Sequence, residues 1–272
     1  MSTDKKPGDK MPGDKMLGEK RGPIGIMTFD NPERHNAVSL DMWQAADTIL
    51  TDFVKDPAIR VIVITGAGGK SFVSGADISK FESERASMEA VRKYNVAVER
   101  MYGGIYDLPK PTIAMIRGYR IGGGLGLAIS CDVRVCSEVS KFALPAAKLG
   151  LGYGYMPMKR FVDVLGPAAT KEIFFTARQY DAATALRWGM VNHVLPDAEV
   201  EAFVMAMAET IAGNAPITIG AIKAIAQEIV KDPDKRDREK CERLVEQCFA
   251  SQDYIEGRRA FMEKRKPSFT GA

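Results

Sequence analysis

The chain has 272 residues, 46% of them hydrophobic and 27% charged, with a net charge of only +3. That suits one large globular domain or a domain with an appendage, and it is too weakly basic to point to nucleic acid. No apolar run approaches the ~20 residues of a membrane span, so neither nucleic acid nor a membrane is an expected partner.

Residues 1–22 are rich in Lys, Asp, Gly and Pro and lack the apolar core of a signal peptide. They read as a solvated tail, and the doubled Pro-Gly-Asp-Lys-Met at 7–16 is too short for a repeat architecture. Ile24–Phe29 reads as a strand, Asp30–Asn36 as a polar loop, and Ser39–Val54 as a helix with Ser39 at its N-cap. Val61–Thr65 is a continuous β-branched run, which suits a strand buried on both faces. Pro111–Ile116 is a third strand and Asp132–Cys136 a fourth. Strands alternating with helices predict an α/β fold with right-handed crossovers. Beyond about Leu195, the stretches 199–213, 216–231, 235–249 and 253–266 carry helical periodicity. The expected division is therefore a tail (1–22), an α/β core (23–198) and a helical C-terminal region (199–272).

The four cysteines form no Cys-x-x-Cys pair and lie far in sequence from His35 and His193. A metal site or a redox dithiol is not expected, and free thiols fit a reducing cytoplasm. Gly69-Lys70-Ser71 resembles the end of a phosphate-binding loop, but the first glycine of that motif would fall at Ile64, still inside a strand. A nucleotide-phosphate-binding protein is accordingly a distant alternative.

Four of the five residues Gly122–Gly126 are glycine, and Leu127-Ala-Ile follows. Glycine costs up to ~1 kcal/mol in a helix relative to alanine, so a cluster at a helix start implies close approach to the backbone. Such a terminus offers unpaired N–H groups and partial positive charge. Gly75-Ala76, after the preceding strand, can expose a second N–H at Ala76. Two donors near one point would form an oxyanion hole. Two tight turns that merely pack is the other reading, and spacing does not choose between them.

Taken in order, Asn31–Ala37, Ser71–Ser79, Gly118–Asp132, Lys141–Gly150, Arg178–Ala182, Gly189–Asn192 and Phe261–Lys266 form a specific set. With them the chain resembles the crotonase, or enoyl-CoA hydratase/isomerase, superfamily from about Ile24 to Phe269. The resemblance implies a spiral of ββα units with a C-terminal helical oligomerisation region, assembled as a homotrimer or a dimer of trimers. It implies an acyl-CoA thioester, coenzyme A being part of the substrate rather than a separate cofactor. The thioester carbonyl would lie between the N–H groups of Ala76 and Gly123. Ala37 and the segment Ala76, Asp77, Ile78 and Ser79 would line the coenzyme path. Phe261 and Lys264 match positions that hold its nucleotide end, where a lysine suits a phosphate as a point charge.

The chain also departs from the family's hydratases. Their two glutamates match Gly126 and Ala146 here, and a further acidic position matches Gly154. General acid–base catalysis contributes ~10²–10⁴-fold per group, so the chain should be a poor hydratase. An oxyanion hole still suits enolate chemistry, such as decarboxylation of a malonyl-type thioester by a lyase, or an isomerase reaction. Tyr153, Tyr155 and Arg120 are candidate substitutes, each with a packing or ion-pair role as the alternative. His35 reads as a surface histidine, and Asp77 as a residue that orders its loop. A non-catalytic acyl-CoA-binding protein is the rival from another class.

Overall fold

The computed structural model describes residues 15–77, 87–121 and 123–272. Strands β1 (Met16–Arg21), β2 (Ile24–Phe29), β3 (Val61–Gly66), β4 (Thr112–Ile116), β6 (Val133–Ser137) and β9 (His193–Leu195) form one sheet in the order β1-β2-β3-β4-β6-β9. Within this sheet only the β1–β2 pair is antiparallel. Strands β5 (Tyr119–Ile121), β7 (Lys141–Ala143) and β8 (Tyr180–Asp181) make a second, smaller sheet. After β4 and again after β6, the following strand (β5, β7) leaves the large sheet for the small one, as a spiral of ββα units requires. The helices are α1 (Leu40–Lys55), α2 (Met88–Asp107), α3 (Gly123–Ser130), α4 (Tyr155–Thr176), α5 (Ala182–Arg187), α6 (Val200–Ala212), α7 (Pro216–Ile229), α8 (Arg238–Ala250) and α9 (Gln252–Met262).

Period-two alternation splits the large sheet between two apolar layers. Ile24, Ile26, Val61, Val63, Ile113, Met115 and Val135 face Val200, Val204, Ala208 and Ala212 of α6. Met27, Phe29, Ile62, Ile64, Ala114, Ile116 and Cys136 face the main core with α1, α2 and α3. Burial of one such aliphatic side chain stabilises by ~1.5–3 kcal/mol, so the β-branched run at 61–64 is committed to both layers. The apolarity of α6 has the same cause. Among the described residues no single helix is long and apolar enough to cross a membrane, although the segments 197–212 and 216–229, bent by 105°, pass that test as a pair.

Residues 16–21, within the stretch 1–22 expected to be a tail, are strand β1, and residues 1–14 lie outside the described residues. Met16 is buried, while Glu19, Lys20 and Arg21 on the outer edge are exposed. Their charge gave the segment its tail-like composition. Ser39 occupies the N-cap of α1 but its hydroxyl makes no capping bond. The last helix ends at Met262 rather than near Lys266, because Lys264 takes a left-handed conformation (φ 52°) and the Arg265 N–H bonds back to the Ala260 carbonyl.

The C-terminal helices are tied to the core by polar contacts. Arg60 donates to the carbonyls of Ala212 and Phe269, and buried Asp253 accepts from the N–H groups of Thr270 and Gly271. Glu228, 3% exposed, accepts from Lys231 (2.7 Å), Lys240 (2.9 Å) and the Asp237 N–H (3.2 Å). These partners hold its carboxyl at about 2, below the ordinary 4.5. A carboxylate depressed by folding contributes stability above its unfolded value and loses it as pH falls through the folded one. Thermal melts should therefore show stability dropping between about pH 4.5 and pH 2, with a shallower drop in Glu228→Gln; an identical acid slope in the variant would refute this assignment.

Candidate active site

Strands β3 and β4 are parallel neighbours, in register from Ile62↔Thr112 to Ile64↔Ala114. Their carboxyl ends therefore lie side by side, the usual place for a ligand in a parallel sheet. The chain leaving β3 passes through residues 67–77, and the chain leaving β4 passes through β5 into α3. Ala76 and Gly123 come from these two exits.

The Ala76 segment is shaped by the loop before α1. The Val38 N–H donates to the Gly75 carbonyl at 2.8 Å, and the Asp77 N–H donates to the Val38 carbonyl at 3.0 Å. This one-residue parallel bridge uses the groups on either side of Ala76 and leaves the Ala76 N–H outside the ladder. Gly75 has φ +105°, which a side chain would oppose. Fully buried Asn36 braces the loop: its Oδ1 accepts from the Asn31 N–H, and its Nδ2 donates to the carbonyls of Ala67 and Ser71. Ala37 is buried here, with its N–H on the Arg34 carbonyl and its carbonyl on Asn31 Nδ2. Asp77 is buried and faces Arg34, both carboxylate oxygens 3.4 Å from Nη1. His35 is exposed.

Three of the clustered glycines have distinct steric reasons. A Cβ on Gly124 would stand 1.8 Å from the Val73 carbonyl oxygen, so α3 begins in direct contact with the segment leading to Ala76. A Cβ on Gly123 would lie 2.9 Å from the Tyr102 hydroxyl, 3.4 Å from Gly75 Cα and 3.9 Å from the Ala76 nitrogen. The Gly123 and Ala76 amides thus border one small volume that only glycine leaves open. A Cβ on Gly126 would lie 2.9 Å from Tyr102 Cε2 and 3.4 Å from Cζ. The space belonging to a side chain at 126 is filled by the Tyr102 ring.

Tyr102 is the residue that sequence reasoning missed. It sits on α2, whose buried face is Tyr94, Met101, Tyr102 and Ile105, a spacing that a helical-periodicity reading of 88–107 would have exposed. Its ring meets Trp43 edge-on at 5.7 Å, and its hydroxyl donates to the Gly123 carbonyl at 2.5 Å. Burial, reinforced by nearby Tyr153, Tyr94 and Glu99, pushes the phenol well above its ordinary 10. It is a donor that stays protonated. One turn back on α2, Glu99 is clamped by buried Arg160 of α4, with contacts of 2.6 and 3.2 Å.

The other sequence candidates are spread out. Ala146 is buried in the short 3-10 turn Pro145–Leu149, with a methyl where a carboxylate was considered. Gly154 is the N-cap of α4, with only Pro157 Cδ, at 3.9 Å, near its absent Cβ. Tyr153 packs edge-on against Phe174 at 4.8 Å and joins the main core. Tyr155 is 66% exposed and its hydroxyl donates to Asp232. Arg120 lies in β5, in register with Phe142. Phe261 is 83% exposed at the end of α9, and Lys264 follows it. Arg265 is engaged by Glu256 and Glu263, both at 2.6 Å. Ile78 and Ser79 lie outside the described residues.

No helix starts between Ser71 and Asp77, so Gly69-Lys70-Ser71 lacks the helix terminus that a phosphate-binding loop needs. Among the described residues no three metal-ligating side chains cluster. Cys131 and Cys136 are buried and outside any disulfide, and burial pushes Cys131 up to about 12. A cleft of about 200 Å³ bordered by Pro57, Arg60, Lys110 and Thr270 lies at the opposite, amino ends of β3 and β4. Its two cations are turned onto backbone carbonyls.

Residues 19–272 match the enoyl-CoA hydratase/isomerase family model. The chain is 33% identical over 248 residues to the short-chain-enoyl-CoA hydratase of Clostridium acetobutylicum, covering 91% of this chain and 94% of that protein. It is 34% identical over 256 residues to the carnitinyl-CoA dehydratase of Salmonella typhimurium, covering 93% and 97%. Among solved structures, an enoyl-CoA hydratase/carnithine racemase from Magnetospirillum magneticum superposes with a TM-score of 0.89 at 34% identity, covering 95% and 96%.

The space around the three acid-free positions predicts unequal tolerance. Gly126→Ala should destabilise by about 1–3 kcal/mol, as overpacking does. Gly154→Asp should leave stability unchanged or raise it by a few tenths of a kcal/mol through N-capping. Urea denaturation of the two variants checks the contrast, and equal effects would contradict the assigned role of Tyr102.

Proposed function

Because the chain belongs to the enoyl-CoA hydratase/isomerase family, we propose that it binds an acyl-CoA thioester with the carbonyl oxygen between the Ala76 and Gly123 N–H groups. The observation that carries this reading is the pair itself: two amides from adjacent strand ends bordering one volume that any side chain at 123 would fill. Such preorganised donors stabilise charge developing on a thioester oxygen, and the enolate is the species they favour. The helix N-terminus behind Gly123 adds partial positive charge in the same direction.

The reaction is not efficient hydration. Adding water across a double bond takes a group to deliver hydroxide and another to deliver a proton. The matching positions carry hydrogen at 126 and a buried methyl at 146. Reactions whose chemistry generates the enolate without a strong protein base fit better, with decarboxylation of a malonyl-type thioester as the leading case. Asp77 orders the loop beneath the hole through Arg34, and Ala37 packs under the same loop. Phe261 and Lys264 would meet the nucleotide end of coenzyme A. Self-association, as a trimer or a dimer of trimers, is supported by the apolar side chains Phe249, Ile255, Phe261 and Met262 left exposed on α8 and α9.

Calorimetry should give saturable binding of butyryl-CoA and none of ATP; binding of ATP without preference for the thioester would overturn the reading. Crotonyl-CoA should be hydrated at least ~10²-fold more slowly than by a hydratase with both acids, whereas a malonyl-type thioester should release carbon dioxide in a mass-spectrometric assay. Thioester binding with no turnover across a broad acyl-CoA panel would select the non-catalytic binder.

A further inference from the structure

The Tyr102 hydroxyl and the Ala76 amide flank the same small volume. The Cβ position of Gly123 lies 2.9 Å from the hydroxyl oxygen and 3.9 Å from the Ala76 nitrogen. The phenol ring covers the face of α3 formed by residues 123 and 126, which stack one turn apart. It therefore occupies the station from which a side chain at 126 would face the acyl group, and it brings a polar atom there. That atom donates to the Gly123 carbonyl at 2.5 Å. A carbonyl in the first turn of a helix also accepts the helix's own N–H from four residues on, so losing the phenol's bond does not orphan it. A hydroxyl hydrogen rotates about its C–O bond to suit its acceptor.

We propose that Tyr102 is a third hydrogen-bond donor to the thioester, its O–H turning from the Gly123 carbonyl to the oxygen seated between the Ala76 and Gly123 amides. This rests on the acyl-CoA reading above and assigns a side chain to the hole that reading builds from backbone. Burial keeps the phenol protonated, so it serves as a donor and not as a base. The edge-on contact with Trp43 and the close packing on Gly126 fix the ring, so the hydroxyl is held in place before any ligand arrives. A tyrosine here replaces a group that handles water with one that strengthens carbonyl polarisation, which favours enolate chemistry.

The test is the carbon-13 resonance of butyryl-CoA labelled at its carbonyl, a saturated thioester with no double bond to hydrate. Binding to the wild-type protein should move the resonance downfield. Tyr102→Phe should reduce that displacement by about a third, one donor of three, with affinity falling no more than about tenfold. Site-specific replacement of Tyr102 by 3-fluorotyrosine, a more acidic phenol of nearly the same shape, should move the resonance beyond the wild-type value; this variant carries the test if the phenylalanine protein folds poorly. Wild-type displacement in both variants would overturn the proposal and leave Tyr102 a packing residue. Failure of the wild-type protein to bind butyryl-CoA at all would instead sink the acyl-CoA reading itself.

Discussion

The site depends on one backbone contact: the first turn of α3 pressed against the carbonyl of Val73. At that contact a single methyl on Gly124 would stand 1.8 Å from the oxygen. The contact sets the distance between the two strand exits and hence between the Ala76 and Gly123 amides. Everything else near it serves to hold the two exits still. Asn36 ties the loop before α1 to both ends of the 67–71 turn, and the Val38–Ala76 bridge aligns the segment that follows. The packed sheet beneath supplies rigidity, because interiors at this density do not deform continuously.

On the proposed reading this base serves enolate chemistry rather than hydration. The Ala76 and Gly123 amides border one volume, whereas positions 126 and 146 carry only hydrogen and a methyl. At 126 the change is not a simple loss. The volume is taken by an aromatic side chain from a different helix, and the polar atom that arrives with it is a protonated phenol. Under the proposed function the site would work through preorganised dipoles, which act without any change in protonation.

Much of this was legible in the sequence, for physical reasons. The β-branched run at 61–65 could satisfy its burial only in a strand covered on both faces, and it is one. The glycine cluster signalled close approach, and the structure gives Gly123, Gly124 and Gly126 each a specific neighbour. Strand β1 was hidden because an edge strand exposes Glu19, Lys20 and Arg21 and so has the composition of a solvated tail. Tyr102 was hidden because it lies 21 residues before its hydrogen-bond partner on another element. Periodicity in 88–107 gives the buried face of a helix, but only tertiary packing says what that face meets. Of the side chains weighed as substitutes, Tyr153 takes its packing alternative against Phe174, whereas it is Tyr102 that touches position 126.

The interlock of Tyr102 with Gly126 also constrains how such a chain can change over generations. Restoring a side chain at 126 first means overpacking against the ring, at about 1–3 kcal/mol. Shrinking Tyr102 first opens a cavity, at about 3–5 kcal/mol for a large aromatic. Either step removes a large share of a typical domain's 5–15 kcal/mol before any benefit appears. The two positions are therefore coupled: a side chain at 126 and the ring at 102 exclude each other, so a single change at either one costs stability before a second can compensate.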